Sequence, residues 1–210
     1  FFYDAIQDPM SAAAGIKVSQ RDIIGFPCSY APEELIWAAG FHPLRLFSSK
    51  SDIVLAENHL QAYCCSLVRG ILENSLSGRL DFLWGTVFPH TCDSMQRLSD
   101  IWRMKGKYSF FADVVLPVKL SGDSAKHYLL AVLEKFRVEL EEVIGRDITV
   151  EDLFKAISVV NRIRKNLTAI YNIKSKDPLA ISNSDLHALV MGAMIMDREK
   201  AAGLLEKIAH

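Results

Sequence analysis

Four short apolar segments alternate with helix-like segments over the first two-thirds of the chain, and this alternation constrains the fold more than any other feature. The apolar segments are DIIGF (22–26), HPLRLF (42–47), WGTVF (84–88) and SFFADVVLP (109–117). Strands separated by helices are joined by right-handed crossovers, which makes them members of one parallel sheet with helices on both faces. The sequence therefore predicts an α/β protein with a parallel sheet of about four strands.

The segments between the predicted strands carry helix signals. Pro32 suits the first position of a helix, and the acids Glu33 and Glu34 suit its first turn. Three further helices are predicted, within 58–76, over 93–104 and over 125–144. Helices on both faces of such a sheet are typical of Rossmann-like and flavodoxin-like folds.

The sequence changes character after residue 146. Helical patterns follow without a further strand, at EDLFKAISVVNRIRKNLTAIYNI (151–173), SNSDLHALVMGAMI (182–195) and DREKAAGLLEKIAH (197–210). We therefore divide the chain into an α/β lobe at 1–146, which carries every cysteine, and a helical extension at 147–210. The last pattern stops abruptly at His210, so we expect the extension to lead to a second lobe that this chain does not contain.

Charge and composition exclude several classes of function. The 24 basic and 25 acidic side chains nearly cancel and are scattered, which gives no electrostatic basis for binding nucleic acid. No apolar run reaches the roughly 18 to 20 residues that a membrane span needs, and the first residues lack the pattern of a signal peptide. We therefore expect a cytoplasmic protein that binds neither nucleic acid nor a membrane.

The cysteines stand at informative positions. In a reducing compartment they are thiols rather than disulfides. Cys28 follows the first predicted strand, and Cys92 follows the third and directly precedes a helix. Ligands bind at such strand ends, and a thiolate near a helix start is suited to act as a nucleophile or a metal ligand. Cys65 could reach the same edge from the start of another helix, whereas Cys64 is expected to be a buried structural thiol.

Three ordered motifs connect these cysteines to a known family. They are GFPCSYAPEELI (25–36) with AAGFHPLRL (38–46), YCCSLVR (63–69) and FPHTCDS (88–94). In these motifs the chain resembles the 2-hydroxyacyl-CoA dehydratase and benzoyl-CoA reductase family, and its helical stretch from 156 to 205 is similar as well. The resemblance covers nearly the whole chain and indicates the N-terminal lobe of an iron–sulfur subunit.

The resemblance implies a cofactor and its ligands. Family members hold an oxygen-sensitive [4Fe-4S] cluster bound by three cysteines, with one iron left open. On that basis Cys65 and Cys92 are expected ligands, and Cys28 is either a third ligand or a residue on the substrate side of the cluster. The spacing of the residues is compatible with this, because no pair has the C-x2-C spacing of a zinc ribbon and widely separated thiolates can bind iron–sulfur clusters.

Three further residues are candidates for catalysis. Ser29 could hydrogen-bond the thioester or hydroxyl group of a substrate, Glu34 could transfer a proton, and His90 could act as an acid or support Cys92. Glu34 and His90 also have structural explanations, as a first-turn acid and as a hydrogen-bonded loop histidine. Arg45 either pairs with a phosphate or carboxylate or lies exposed without such a role.

The resemblance also implies an activity and partners. The expected reaction is low-potential radical chemistry on an acyl-CoA thioester, either dehydration of a 2-hydroxyacyl-CoA or reduction of an aromatic ring. The expected partners are a paralogous subunit, in a heterodimer or homodimer, and an ATP-hydrolysing iron–sulfur activator. Two alternatives stay open: an ATP-driven reductase of small molecules in the same family, and a non-catalytic subunit without a complete cluster. This chain alone is expected to be inactive.

Overall fold

The structure is a computed structural model that describes residues 2–16, 21–48, 52–105 and 108–209. Its strands are β1 (Ile23–Phe26), β2 (His42–Arg45), β3 (Gly85–Pro89) and β4 (Phe110–Val114). Its helices are α1 (Phe2–Gln7), α2 (Pro9–Ile16), α3 (Glu33–Ala38), α4 (Ser66–Leu76), α5 (Asp93–Lys105), α6 (Asp123–Ile144), α7 (Val150–Lys176), α8 (Asn183–Ile195) and α9 (Arg198–Ala209), with a short 3-10 helix at Ala56–Asn58. Every predicted strand and helix is present.

The strands in the described part of the chain form one parallel sheet in the order β2, β1, β3, β4. At the carboxyl ends of the strands, Phe26 lies opposite Arg45 and Pro89 lies opposite Val114. Every residue of β1 and β3 is buried, as expected for central strands that are covered on both faces. These observations confirm the predicted α/β fold with a parallel sheet of four strands.

Aromatic side chains pack tightly around the central strands. Trp84 stacks on Phe41 and on Phe110, with ring centroids 4.6 Å and 6.0 Å apart. Trp102 of α5 packs against Phe88 of β3 with centroids 5.3 Å apart, and both side chains are fully buried. Burial of each such side chain contributes about 1.5 to 3 kcal/mol. These contacts hold the helix that follows Cys92 firmly against the sheet.

Two helices after the sheet, α7 and α8, begin with side-chain caps. At the start of α7, the Asp152 amide donates to the Thr149 hydroxyl and the Thr149 amide donates to the Asp152 carboxylate, both at 3.1 Å. The Ser182 hydroxyl accepts from the Asp185 amide at 3.0 Å and caps α8 in the same way. Such caps are each worth about 1 kcal/mol. No helix in the described ranges is long and apolar enough to cross a membrane.

The chain separates into two compact units. One is an α/β unit at Asp22–Ile148, and the other is a helical unit made of the described residues up to Arg21 and those from Thr149 onward. In the helical unit α1 packs against α8, and the Tyr3 hydroxyl donates to the Asp185 carboxylate at 2.6 Å. The α/β lobe predicted from the sequence included residues 2–16. The structure groups them with the helical unit instead, because α1 packs on α8.

Candidate functional site

The carboxyl ends of β1 and β3 lie side by side at the point where the strand order reverses. The chain leaves β1 toward β2 on one side and later adds β3 on the other. In open α/β sheets, ligands bind outside such a switch point because the loops on its two sides diverge and leave a crevice. Cys28 follows β1 by two residues and Cys92 follows β3 by three. The topology therefore places both cysteines beside this crevice.

The loop after β1 holds Cys28 in an unusual backbone conformation. The φ angle is 58° at Cys28 and 70° at Tyr30, in the left-handed region that residues with side chains rarely adopt. The Thr91 hydroxyl donates a hydrogen bond to the Cys28 Sγ at 3.4 Å, which joins the loop after β1 to the loop after β3. Strain of this kind persists where the surrounding structure enforces it and is typical of functional sites.

Cys65 and Cys92 occupy equivalent positions at the starts of α4 and α5. The Arg69 amide donates to the Cys65 carbonyl, and the Gln96 amide donates to the Cys92 carbonyl, each at 3.1 Å. Each cysteine therefore occupies the N-cap position of its helix. Both side chains are exposed, whereas that of Cys28 is partly buried. The amides at a helix start favour negative charge, so an anionic ligand at either sulfur would be stabilised.

The loop that carries Cys65 also adjoins α5. The guanidinium of Arg97 in α5 lies 5.9 Å from the ring centroid of Tyr63, and α4 contacts α5. The hydrogen bond from Thr91 to Cys28 already joins the loop after β1 to the loop after β3. The loops that carry Cys28, Cys65 and Cys92 therefore lie at the same edge of the sheet, at the carboxyl ends of its strands. We call Cys28, Cys65, Cys92 and their loops the cysteine edge. Cys64 is only 3% exposed, as expected for a structural thiol.

His90 is held by a carboxylate that sequence reasoning missed. Because a carboxylate only accepts hydrogen bonds, the His90 Nε2–H donates to the Asp113 Oδ1, at 2.9 Å. Asp113 also accepts from the Ser99 hydroxyl at 2.5 Å and from the Arg103 guanidinium. The signal was present in the sequence, since an acid within an apolar strand such as SFFADVVLP is rarely unpaired. His90 thus makes a structural hydrogen bond, and its catalytic role stays a prediction.

Arg45 lies at the carboxyl end of β2, close to Cys28. Burial lowers the pKa of the Arg45 guanidinium. The negative charges of a Cys28 thiolate and of Glu33 raise this pKa and offset part of the effect of burial. Its Nε is buried, and no hydrogen-bond partner reaches this atom from the described residues. Arg45 is therefore a partly buried positive charge beside the cysteine edge, rather than an exposed side chain.

The remaining candidates lie around the loop of Cys28. Ser29 directly follows Cys28 and is exposed. Glu34 lies partly buried in the first turn of α3, where its charge also suits the helix start. Both residues follow Cys28 within the segment that joins β1 to α3, and their roles in catalysis stay predictions.

The donor atoms of the cysteine edge can be compared with the requirements of a metal cofactor. Among the described residues, no group of three or more His, Cys, Asp or Glu side chains is arranged to hold a metal ion. An iron–sulfur cluster has different requirements from a single ion, because each iron binds its own cysteine thiolate. The cysteines of a cluster can therefore lie in separate loops. Cys28, Cys65 and Cys92 supply soft sulfur donors from three adjoining loops, two of them exposed. The donor chemistry therefore fits an iron–sulfur cluster.

Comparison with known proteins decides the family. The family model described as 2-hydroxyglutaryl-CoA dehydratase, D-component, matches residues 28–210. This chain belongs to that family. Membership confirms the resemblance indicated by the three cysteine motifs, and the matched residues include every cysteine of the cysteine edge.

The curated relatives of this family member include both reductase and dehydratase subunits. The chain is 31% identical over 190 residues to a benzoyl-CoA reductase subunit of Thauera aromatica, which covers 89% of this chain and 49% of that protein. It is 27% identical over 212 residues to the (R)-phenyllactyl-CoA dehydratase beta subunit of Clostridium sporogenes, covering 99% and 57%. It is 25% identical over 210 residues to the beta subunit of (R)-2-hydroxyglutaryl-CoA dehydratase from Acidaminococcus fermentans, covering 99% and 55%. The chain thus spans about half the length of these relatives.

Proposed function

We propose that this chain is the cysteine-bearing part of an iron–sulfur subunit in a cytoplasmic enzyme of the 2-hydroxyacyl-CoA dehydratase or benzoyl-CoA reductase type. The observation that carries the proposal is the hydrogen bond from Thr91 to Cys28, which joins the Cys28 and Cys92 loops at the switch point of the sheet. The enzyme class is supported by the relatives, which are named as reductase and dehydratase subunits.

In this proposal the three cysteines of the cysteine edge hold a [4Fe-4S] cluster, which supplies one-electron chemistry at low potential when it is bound. The amides at the starts of α4 and α5 stabilise negative charge near Cys65 and Cys92. The Thr91 hydroxyl hydrogen-bonds the Cys28 sulfur and orients it. Arg45 adds a fixed positive charge on the β2 side of the same edge.

The proposed substrate is an acyl-CoA thioester that approaches the crevice at the cysteine edge. Ser29 is exposed there and would donate a hydrogen bond to the thioester or hydroxyl oxygen. Glu34 and His90 are the proposed proton-transfer groups, with the His90 ring oriented by Asp113. The proposed partners are a paralogous subunit and an ATP-hydrolysing iron–sulfur activator that delivers the electron.

The first experiment measures iron and acid-labile sulfide, with an electronic spectrum, on protein prepared and reconstituted without oxygen. We expect the parent to hold iron and sulfide, and Cys65→Ala and Cys92→Ala each to lose most of it, because an exposed ligand is removed from the cluster. Cys64→Ala is the matched control, since this neighbouring thiol is buried and should leave the iron content unchanged. A parent that holds no iron, or equal losses in all three variants, would contradict the proposal.

A second measurement tests the substrate class. Calorimetric titration of the reconstituted protein with a 2-hydroxyacyl-CoA, with an aromatic acyl-CoA and with free coenzyme A separates thioester enzymes from reductases of other small molecules. We expect a thioester to bind more tightly than free coenzyme A, because the crevice at the cysteine edge would contact the acyl group. Equal affinity for all three would argue against a thioester substrate.

A further inference from the structure

We infer that Asp113 is the positioning residue that sets the spacing of Cys28 and Cys92 at the cysteine edge. The inference rests on the proposed function, since it concerns the same cysteines. Asp113 itself lies outside the three motifs, on a strand that carries no cysteine.

Three hydrogen-bond donors converge on the Asp113 carboxylate. Asp113 accepts from His90 at 2.9 Å through Oδ1, from Ser99 at 2.5 Å through the same oxygen, and from Arg103 through Oδ2. The Asp113 side chain is 18% exposed and that of His90 is 17% exposed, so water weakens their contact little. Hydrogen bonds to a charged acceptor are worth roughly twice those between neutral groups. The carboxylate therefore forms a strong, directional anchor.

The three donors belong to the segments on either side of Cys92. His90 lies in the loop after β3, whereas Ser99 and Arg103 lie in α5, which Cys92 caps. The His90 amide also donates to the Val114 carbonyl at 3.0 Å, so β4 holds this residue through both backbone and side chain. Asp113 thus fastens β4 to the segments before and after Cys92, which restrains the backbone at Cys92.

Thr91 links this anchor to Cys28. It lies between His90 and Cys92, and its hydroxyl donates to the Cys28 Sγ at 3.4 Å. A hydrogen bond of this length is lost after a small displacement of the loop. By holding His90, Asp113 therefore also holds Thr91 against Cys28. In this way one carboxylate sets the spacing between the sulfurs of Cys28 and Cys92, which are 64 positions apart in the sequence.

The test uses Asp113→Asn, which replaces one acceptor oxygen with an NH2 group. This group cannot accept a hydrogen bond, so one of the three donors loses its partner. Glu141→Gln is the matched control, because Glu141 lies in the same α/β unit, has a similarly buried side chain, and accepts from Arg137 and from the Ile148 amide at 2.6 Å. Both variants should lower thermal stability. Only Asp113→Asn should disturb the cysteine edge.

Two readouts separate positioning from stability. In the metal-free protein, a short bifunctional thiol reagent followed by peptide mass spectrometry measures the fraction of molecules in which Cys28 and Cys92 are bridged. We expect bridging in the parent and in Glu141→Gln and its loss in Asp113→Asn. In the reconstituted protein, a chelator competition measures iron affinity, which we expect to fall about 10-fold or more in Asp113→Asn alone, as for other residues that orient metal ligands.

The outcomes distinguish this inference from the proposed function. If the parent holds no iron, the proposed function fails, and the bridging experiment still decides the role of Asp113. If a folded Asp113→Asn keeps parental bridging and iron affinity, or Glu141→Gln loses both equally, the inference is overturned. Should Asp113→Asn not fold, Ser99→Ala removes one donor and leaves the Asp113 carboxylate paired with His90 and Arg103. The same losses to a smaller extent are then expected, whereas parental values would overturn the inference.

Discussion

At the scale of the residue, the buried Nε of Arg45, unpaired among the described residues, lowers the stability of the folded protein. Its guanidinium is partly buried, and its Nε finds no hydrogen-bond partner in the described part of the chain. A buried donor without a partner costs about 1 to 3 kcal/mol. Natural proteins keep such a cost where function requires it. The burial of Arg45 therefore supports a role in binding a negatively charged group.

We expect Arg45→Met to stabilise the protein without ligand by about 1 kcal/mol, because methionine keeps much of the volume and removes the unpaired donor. The midpoint of urea unfolding, measured on metal-free protein, should rise. The control is Arg79→Met, which replaces an exposed arginine and should change stability by less than about 0.5 kcal/mol. A fall in the Arg45→Met midpoint would show that the contact of the guanidinium with the Phe47 ring, 5.9 Å from its centroid, outweighs the cost of the unpaired donor, and would contradict this interpretation.

At the scale of the element, Tyr108 joins two helices to the strand β4 that follows it. Its hydroxyl lies 3.1 Å from the Ser75 hydroxyl in α4, and its ring stacks on Trp102 of α5 with centroids 5.3 Å apart. Burial raises the pKa of Tyr108 above its ordinary value of 10.0, an effect that the hydrogen bond with Ser75 partly offsets and the charge of Asp81 reinforces. The folded protein thus disfavours the phenolate.

This shift gives a dependence of stability on pH with a defined sign. Because the folded state holds the phenolic proton more tightly, the contribution of Tyr108 is present below pH 10.0 and is lost as the pH rises through its raised pKa. We expect Tyr108→Phe to lower stability at pH 7 by about 1 kcal/mol and to make the alkaline loss less steep. Urea unfolding from neutral to alkaline pH measures both effects. The control is Tyr128→Phe, at an exposed position of α6, which should leave stability at pH 7 almost unchanged.

At the scale of the whole molecule, the helical unit is assembled from segments far apart in the chain. Its core contains side chains of α7, α8 and α9, and Phe2 of α1 packs against it. A Cβ at Gly192 of α8 would lie 2.4 Å from the Phe2 ring, so the glycine is what allows α1 to approach α8. The stability of α8 therefore depends on residues at the other end of the sequence.

We expect Phe2→Ala to destabilise the helical unit by about 1 to 3 kcal/mol, since a partly buried aromatic ring is lost from its core. Hydrogen exchange of the α8 amides should become faster. The control is Phe154→Ala, which removes a ring that is 68% exposed on α7 and should have little effect on α8. Unchanged exchange in Phe2→Ala would mean that the Phe2 ring does not stabilise α8.

The sequence by itself determined the features that depend on neighbouring residues. Strand and helix periods identified the described strands and α-helices from β1 onward, though not the short 3-10 helix at Ala56–Asn58, because period and capping are read within a few positions. The connection of strands through helices predicted the parallel sheet. The three cysteine motifs identified the family, which the family match confirms.

Only the tertiary structure decided which distant side chains meet. His90 and Asp113 are 23 positions apart, Thr91 and Cys28 are 63 apart, and Tyr3 and Asp185 are 182 apart. No local pattern encodes such pairs, because they depend on strand order, register and helix packing over the whole chain. The pairing of Asp113 with the loop before Cys92, and the packing of the first helix on α8, became visible only when these elements were in place.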